Sequence, residues 1–496
     1  MALSREPYEC DAGELIGALR RREVSARELL AVFLGRAEAC AGLRALVSID
    51  RERAEKDADA ADERLRRGEP IGPLDGLPMT VKDTYDTAGH PTTSGIPWLR
   101  NNRPARDATL VARLRAAGAV IFGKTSCPLG SYDWQCVHPH AGRAVNPWDM
   151  SRTTGGSSGG GAAALAARIT PLELGSDVAG SIRVPAHFCG VFGLRPTEGA
   201  LSTAGHAAMP GMPPTLRSLI TCGPMARNVA DLRLALACLW GPDPDHLPLG
   251  YAWADGVTLR GATIAVAAEW GEARADAATR AALADAVQAL RDAGATVVED
   301  APELPRDELW AVWGTLQGYE LLGQMPWPAR LPGVGPGTVA LGYAARFGAG
   351  KLSGCLARGL FASRLKYAET LARRAALIAG FDRFLRKYDA WLTPTTATAA
   401  FTHRRTGARI EIDGVAARYE AACGEWTIPT AVGGHPVAVA PAGLSPEGLP
   451  IGLQWHAARG RDEELLALLA GFEAERPWRG LEVSGGASER FRTGSP

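Results

Sequence analysis

The chain of 496 residues is short of lysine, of net charge and of long apolar runs. Only six lysines occur, Lys56, Lys82, Lys124, Lys351, Lys366 and Lys387, and arginine supplies the rest of the basic side chains. Lys+Arg and Asp+Glu balance at 54 each. No net field therefore draws the chain to nucleic acid or to an anionic membrane, and no nucleic-acid partner is expected. No stretch of 18 apolar residues occurs, so no membrane span is expected. The start MALSREPYECDAGELIG has no apolar run behind a basic segment, so it does not read as a signal peptide. Nine cysteines are scattered without a C-x-x-C pair, and an odd count leaves one unpaired in any full disulfide scheme. A reduced, cytoplasmic setting is the expectation. No His/Cys/Asp cluster has metal-ligand spacing, so no metal is expected.

What is present is ordinary globular material, 46% hydrophobic and 22% charged. Residues 11–41 carry apolar positions at helical spacing in two pieces, the second capped near Ser25, and 50–67 reads as a charged, solvated helix. PMTVKD, ending near Lys82, reads as a strand, and 107–125 as a helix stopped at Gly118 and followed by a buried strand. Residues 261–300 form the clearest β-α-β unit. Helices are expected over 306–326 and 355–388, and late strands over 388–398, 435–443 and 451–457, with a helix after the last. The pattern predicts one large α/β domain over residues 1–480, a mixed sheet covered by helices on both faces, with a polar, frayed tail at 481–496. The Pro- and Gly-rich run 325–340 reads as a surface loop.

The segment 153–161, TTGGSSGGG, surrounds two serines with five glycines. A phosphate loop would need Gly-Lys-Ser/Thr, and no lysine lies near residue 160. A dinucleotide fingerprint would follow an apolar strand, but NPWDMSR precedes it. A flexible linker is a third reading. Gly156-x-Ser158-x-Gly160 matches the nucleophile-elbow pattern in form, yet no strand leads into it. An elbow also needs a histidine base. His138 and His140 flank a proline and His187 lies in an apolar stretch, so these read as structural histidines.

A second serine, Ser181, follows a small-residue turn in GSDVAGSIRVP (175–185). There the backbone N–H groups of Val178, Ala179, Gly180 and Ser181 can converge on one atom, as an oxyanion hole requires. Small residues leave room for a carbonyl to approach.

Taken with GLPMTVKDTYDTAG, GKTSCP, NPWDMSRTTGGSSGGGAAALAA, ELGSDVAGSIRVPAHFCGVFGLRPTEG, TCGPMARNVADL and the late WLTPTTAT, PVAVAPAG and GLPIGLQW, the chain resembles the amidase signature hydrolases over almost its whole length, with its signature core at about 76–232. Lys82 precedes Ser157 by 75 residues, and Ser157 precedes Ser181 by 24. The resemblance implies Ser181 as nucleophile, Ser157 as a relay serine behind a cis peptide bond with Gly156, and Lys82 as base. A serine hydroxyl attacks well only when a neighbour takes its proton. Lysine can take it only when neutral, which burial away from carboxylates favours. By the same resemblance Ser158 and Arg183 support the site through hydrogen bonds, and Asp177 reads as pairing with Arg183 below the turn; an ordinary structural ion pair and a helix N-cap are the alternative readings of these residues. Ser131, Tyr132 and Trp134 border an acyl pocket, and Trp310, Trp313, Trp327 and Trp426 fall in regions that often line it. The family often has Gly-Gly-Ser where this chain has Ala179-Gly180-Ser181, which a negative φ at Ala179 would accommodate. A small-molecule amide substrate, no cofactor and a homodimer go with the resemblance. So do two rivals on the same scaffold, a biosynthetic acyltransferase and one component of a tRNA-dependent amidotransferase. A non-catalytic binding protein would have lost Lys82, Ser157 or Ser181, and all three are present.

Overall fold

The structure, a computed structural model, describes residues 5–207, 218–243, 250–320, 342, 344–348, 350–482 and 491. Its strands are β1 (Leu46–Ile49), β2 (Pro78–Lys82), β3 (Val120–Thr125), β4 (Val137–His138), β5 (Gly142–Arg143), β6 (Leu172–Asp177), β7 (Phe192–Arg195), β8 (Thr221–Ala226), β9 (Thr263–Val266), β10 (Thr296–Glu299), β11 (Ala390–Pro394), β12 (Ile410–Ile412), β13 (Val415–Ala417), β14 (Val437–Leu444) and β15 (Pro450–His456). Eleven of them form one sheet in the order β1-β3-β2-β6-β8-β7-β14-β15-β11-β9-β10, while β4-β5 and β12-β13 are separate two-stranded pairs. The sheet is mixed. β3, β2 and β6 run parallel, as do β11, β9 and β10, and the strands between them are antiparallel. β2 and β6 are buried throughout, as parallel strands covered on both faces must be.

The helices begin where their capping residues place them. Ser25 accepts from the Glu28 N–H while Glu28 reaches back to Ser25, a capping box that starts the helix Ala26–Ala39. Asp276 caps Ala277–Asp292, the crossover between the parallel strands β9 and β10. The region expected as one helix over 355–388 is two, Lys351–Leu360 and Arg364–Leu385, because Ser363 leaves the helical path and caps the second through the Lys366 N–H. Of the helix expected over 306–326, Arg306–Gly318 is observed. The run 325–340 and nearly all of the tail 481–496 lie outside the described residues. β1, β7, β8 and the buried helix Tyr419–Val432 were not expected from the sequence. That helix carries Pro429 in its interior and β8 reads TCGPMA, so local propensity opposed both assignments.

Two features place the site. β2 and β6 are neighbours and parallel, so Lys82 and Asp177, their last residues, emerge at one edge of the sheet. The eight-residue helix Gly159–Ala166, made of Gly, Ala and one Leu, is wholly buried. Its small side chains bring the backbone of Ser157 and Ser158 down onto that edge. No helix among the described residues is long and apolar enough to cross a membrane.

Candidate active site

Lys82 is fully buried. Its Nζ donates to Ser157 Oγ at 2.7 Å and to Ser176 Oγ at 3.1 Å. Both partners are neutral hydroxyls, and burial lowers the lysine below its ordinary pKa. Ser157 follows a cis peptide bond with Gly156. A Cβ on Gly156 would stand 2.5 Å from the carbonyl oxygen of Asp133, so the backbone approaches the neighbouring loop too closely for any other residue.

Ser158 occupies the N-cap of the next helix, but its side chain does not cap it. Its Oγ donates to the carbonyl of Ser176 at 3.3 Å and accepts from the Ser176 N–H at 3.4 Å. Its own N–H donates to the carbonyl of Ser181 at 3.0 Å. The serine that fits the elbow pattern therefore ties β6 to the Ser181 turn. No histidine reaches it among the described residues: His187 is spent on the backbone of Thr398 and Gly452, and His138 on the N–H groups of His140 and Ala141.

The turn after β6 is organised by Asp177. Its carboxylate accepts from the N–H groups of Gly180 at 2.8 Å, Ile182 at 3.0 Å and Arg183 at 3.3 Å. It also accepts from Arg183 Nε and Nη2, each at 3.0 Å. Burial would raise this acid, but the charge and hydrogen bonds of Arg183, with Arg195 nearby, outweigh it and hold Asp177 well below the usual carboxylate range. Arg183 continues to Thr430 Oγ1 at 2.8 Å and the Thr427 carbonyl at 3.0 Å. Gly180 has φ +101°, and a Cβ there would meet the Thr427 side chain at 2.8 Å. Ala179 has no positive φ, so alanine is accommodated. Of the four N–H groups from Val178 to Ser181, that of Gly180 is taken by the Asp177 carboxylate, which sits directly beneath the turn. Those of Val178, Ala179 and Ser181 have no acceptor among the described residues.

Ser157, Ser176 and Ser181 line one cleft, open to solvent, together with Ser131, Tyr132, Trp134, Val178 and Ala179. Ser181 is half-buried, and among the described residues no hydrogen bond joins its hydroxyl to Ser157. Trp134 is fixed by its indole N–H, which donates to the carbonyl of Ala179 at 2.8 Å. Of the other tryptophans singled out, Trp313 lines the cleft. Trp310 and Trp426 are fully buried in the apolar cluster around it, and Trp327 lies outside the described residues. Ser176, His206, Ile220, Phe347 and Leu352 also line the cleft, although the sequence did not single them out. Ser176 stands directly before Asp177 in the quoted motif, but nothing in the sequence says that it faces Lys82. His206 packs edge-on against Tyr85 with ring centroids 4.8 Å apart. Burial, helped by Lys82 and Lys124, lowers it to about 3, so it is neutral near pH 7.

The Amidase family model matches residues 28–325 and 336–466. The chain belongs to the Amidase family. The acylamidase of Rhodococcus erythropolis is 31% identical to it over 479 residues, 94% of this chain and 95% of that protein. A glutamyl-tRNA(Gln) amidotransferase subunit of Chloroflexus aggregans is 35% identical over 468 residues, 88% of this chain and 90% of that protein. The solved structure of a bacterial aryl acylamidase, an amidase signature enzyme, matches with a TM-score of 0.81 at 24% identity, covering 98% of this chain and 99% of that one. The large mixed sheet with its helices is thus the amidase signature fold.

Proposed function

We propose that this amidase family member hydrolyses carboxylic amides through an acyl-enzyme on Ser181, with Ser157 relaying the proton to Lys82. The observation that carries this reading is the buried Lys82, bonded to Ser157 and Ser176 and to no carboxylate, behind a cleft that Ser157 and Ser181 share. As the Ser181 oxygen bonds to the amide carbon, its proton passes to Ser157 and a proton of Ser157 passes to Lys82. The carbonyl oxygen becomes an oxyanion that the free N–H groups of Val178, Ala179 and Ser181 can receive. The proton returns along the same path to the leaving nitrogen as the C–N bond breaks. Water then attacks the acyl-enzyme and releases the acid. Asp177 and Arg183 hold the turn beneath, and Ser158 fastens it to β6. Ser131, Tyr132 and Trp134 border the acyl group, and the substrate is a small-molecule amide.

The test is release of ammonia or amine from primary amides, anilides and peptide C-terminal amides by the wild type and by Ser181→Ala. The wild type alone, without ATP, tRNA or a partner chain, is expected to release product. The variant is expected to fall by at least about a thousandfold. Turnover retained in Ser181→Ala would remove Ser181 as nucleophile, and a fluorophosphonate adduct mapped to Ser158 would restore the elbow reading. The amidotransferase relative favours a second reading, for which activity only with ATP, tRNA and partner chains would be the mark. Product formed only with an added amine would mark the acyltransferase.

A further inference from the structure

Buried polar atoms in folded proteins are nearly always hydrogen-bonded, and an exception asks for a reason. Three residues of the cleft are such exceptions. Ser131 Oγ, His206 Nε2 and Trp313 Nε1 are each buried and have no hydrogen-bond partner among the described residues. A hydroxyl and a neutral imidazole nitrogen can each donate or accept, so those two atoms do not say what they await. An indole N–H only donates. Trp313 is 2% exposed and is set by the helix Arg306–Gly318 beside Trp310, ring centroids 6.2 Å apart at 75°. An orphaned indole alone does not make a site. Trp391 and Trp455 are orphaned too, but they lie in β11 and β15 and do not line the cleft. Trp313 meets both conditions.

The charge of the cleft narrows the ligand further. Its one carboxylate among the described residues, Asp133, is already held by Tyr419 Oη at 2.6 Å, Thr406 Oγ1 at 2.5 Å, the Gln135 N–H at 3.3 Å and Arg346 at 3.4 Å. No arginine or lysine lines the cleft among the described residues. A carboxylate brought against a lone indole N–H would lose more hydration than one neutral donor returns. A carbonyl or ether oxygen would not. The cleft wall also includes Ile220, Phe347 and Leu352, the last two in the same apolar cluster as Trp313, which suits an apolar body.

We propose that Trp313 is a specificity residue. Its N–H donates to a second, neutral acceptor on the substrate, a carbonyl or ether oxygen carried on a bulky apolar group apart from the amide that is cut. The preferred substrates are then uncharged amides of that class. This rests on reading the cleft as the site of amide hydrolysis.

The probes are phenylacetanilides with an acetyl group at the ortho, meta or para position of the acyl ring, each paired with its isopropyl isostere, which lacks the acceptor. Affinity is measured by calorimetry on Ser181→Ala, and kcat/KM on the wild type. One acetyl isomer is expected to exceed its isostere by at least about tenfold in affinity, since the isostere leaves the buried donor unpaired. In Trp313→Phe, which keeps an aromatic ring and removes the N–H, that ratio falls towards one. If this variant does not fold, β-(3-benzothienyl)alanine in place of Trp313 keeps the indole shape without its N–H. The proposal is overturned if no acetyl isomer is preferred, or if the preference survives loss of the N–H. Selective binding without hydrolysis would sink the hydrolase reading and leave only the donation from Trp313 to a neutral acceptor standing. Hydrolysis without acetyl preference would do the reverse.

Discussion

Lys82 and Arg183 are both wholly buried cationic side chains beside the same strand, and they differ in the partners they are given. Arg183 is forked onto the carboxylate of Asp177, an ion pair inside the protein. Lys82 is bonded only to the hydroxyls of Ser157 and Ser176, and burial moves it towards its neutral form. The difference has two parts: a guanidinium holds its proton wherever it is placed, whereas a buried amine is moved towards its neutral form when its partners are hydroxyls and not a carboxylate that would pin the cation. Lys124 adds a control. It too is buried, lowered to about 8, and bonded to Thr87 Oγ1, Thr92 Oγ1 and the Tyr85 carbonyl. Neither lysine lines the cleft, but Lys82 is bonded to Ser157, which does, while none of the partners of Lys124 does. On the proposed mechanism a buried amine is put to use only where such a hydroxyl is within reach.

The sharpest way to break this comparison is Lys82→Arg, since a guanidinium does not deprotonate in a protein. Loss of a general base costs about 10²–10⁴-fold in rate, and kcat/KM of Lys82→Arg and of Lys82→Met on the best amide is expected to fall by that much while both remain folded by circular dichroism. In the wild type, kcat/KM should rise with pH as Lys82 loses its proton, with a midpoint below the ordinary lysine value. An active Lys82→Arg would show that the proton goes elsewhere.

The opposite outcome is expected at the other cation. Asp177→Asn leaves Arg183 buried without its counter-charge and weakens the hold on the Gly180, Ile182 and Arg183 N–H groups. Removing one partner of a buried pair costs about 3–5 kcal/mol. Urea unfolding should show that loss, with activity falling as a consequence. The contribution of Asp177 is present above the unfolded carboxylate pKa and is lost as pH falls below it, because its folded pKa is depressed. A loss under about 1 kcal/mol, the scale of an exposed pair, would mean that the pair does not hold the turn.

Much of this arrangement was legible in the sequence, for identifiable reasons. Glycine-rich TTGGSSGGG and GSDVAGS mark backbone that must approach something closely, and both segments do so at Gly156 and Gly180. The β-α-β unit around β9 and β10 carries clean periodicity. What was not legible depends on contacts far apart in the chain. Ser176 gains its place beside Lys82 from a residue 94 positions away. Asp177 was expected to pair with Arg183, but its capture of the Gly180 N–H follows from turn geometry that composition does not encode. The cleft wall also draws on Ile220, Phe347 and Leu352, which no local pattern connects.

Glu173 offers the finest test of the rule, because it is the acidic counterpart of Lys82. It lies on β6 in register with Thr80 of β2. It is fully buried and accepts from Thr125 Oγ1 at 2.6 Å and Thr80 Oγ1 at 2.5 Å, with no cation bonded to it. Burial raises it to about 7. A carboxyl group whose pKa rises on folding holds its proton more tightly in the folded state. Its contribution to stability is therefore full below the unfolded pKa and is lost as pH rises through about 7. Glu173→Gln is neutral at every pH, and any cost of turning one threonine hydroxyl to meet the amide is the same at both ends of the range. Between pH 5 and pH 8 the wild type should lose about 2 kcal/mol more than Glu173→Gln in urea unfolding. Comparing wild type with variant cancels the slope from other raised acids such as Asp231 and Asp462. Equal slopes would mean that hydroxyl partners stabilise the Glu173 carboxylate as well as a cation would, and the same reasoning would then no longer favour a neutral Lys82.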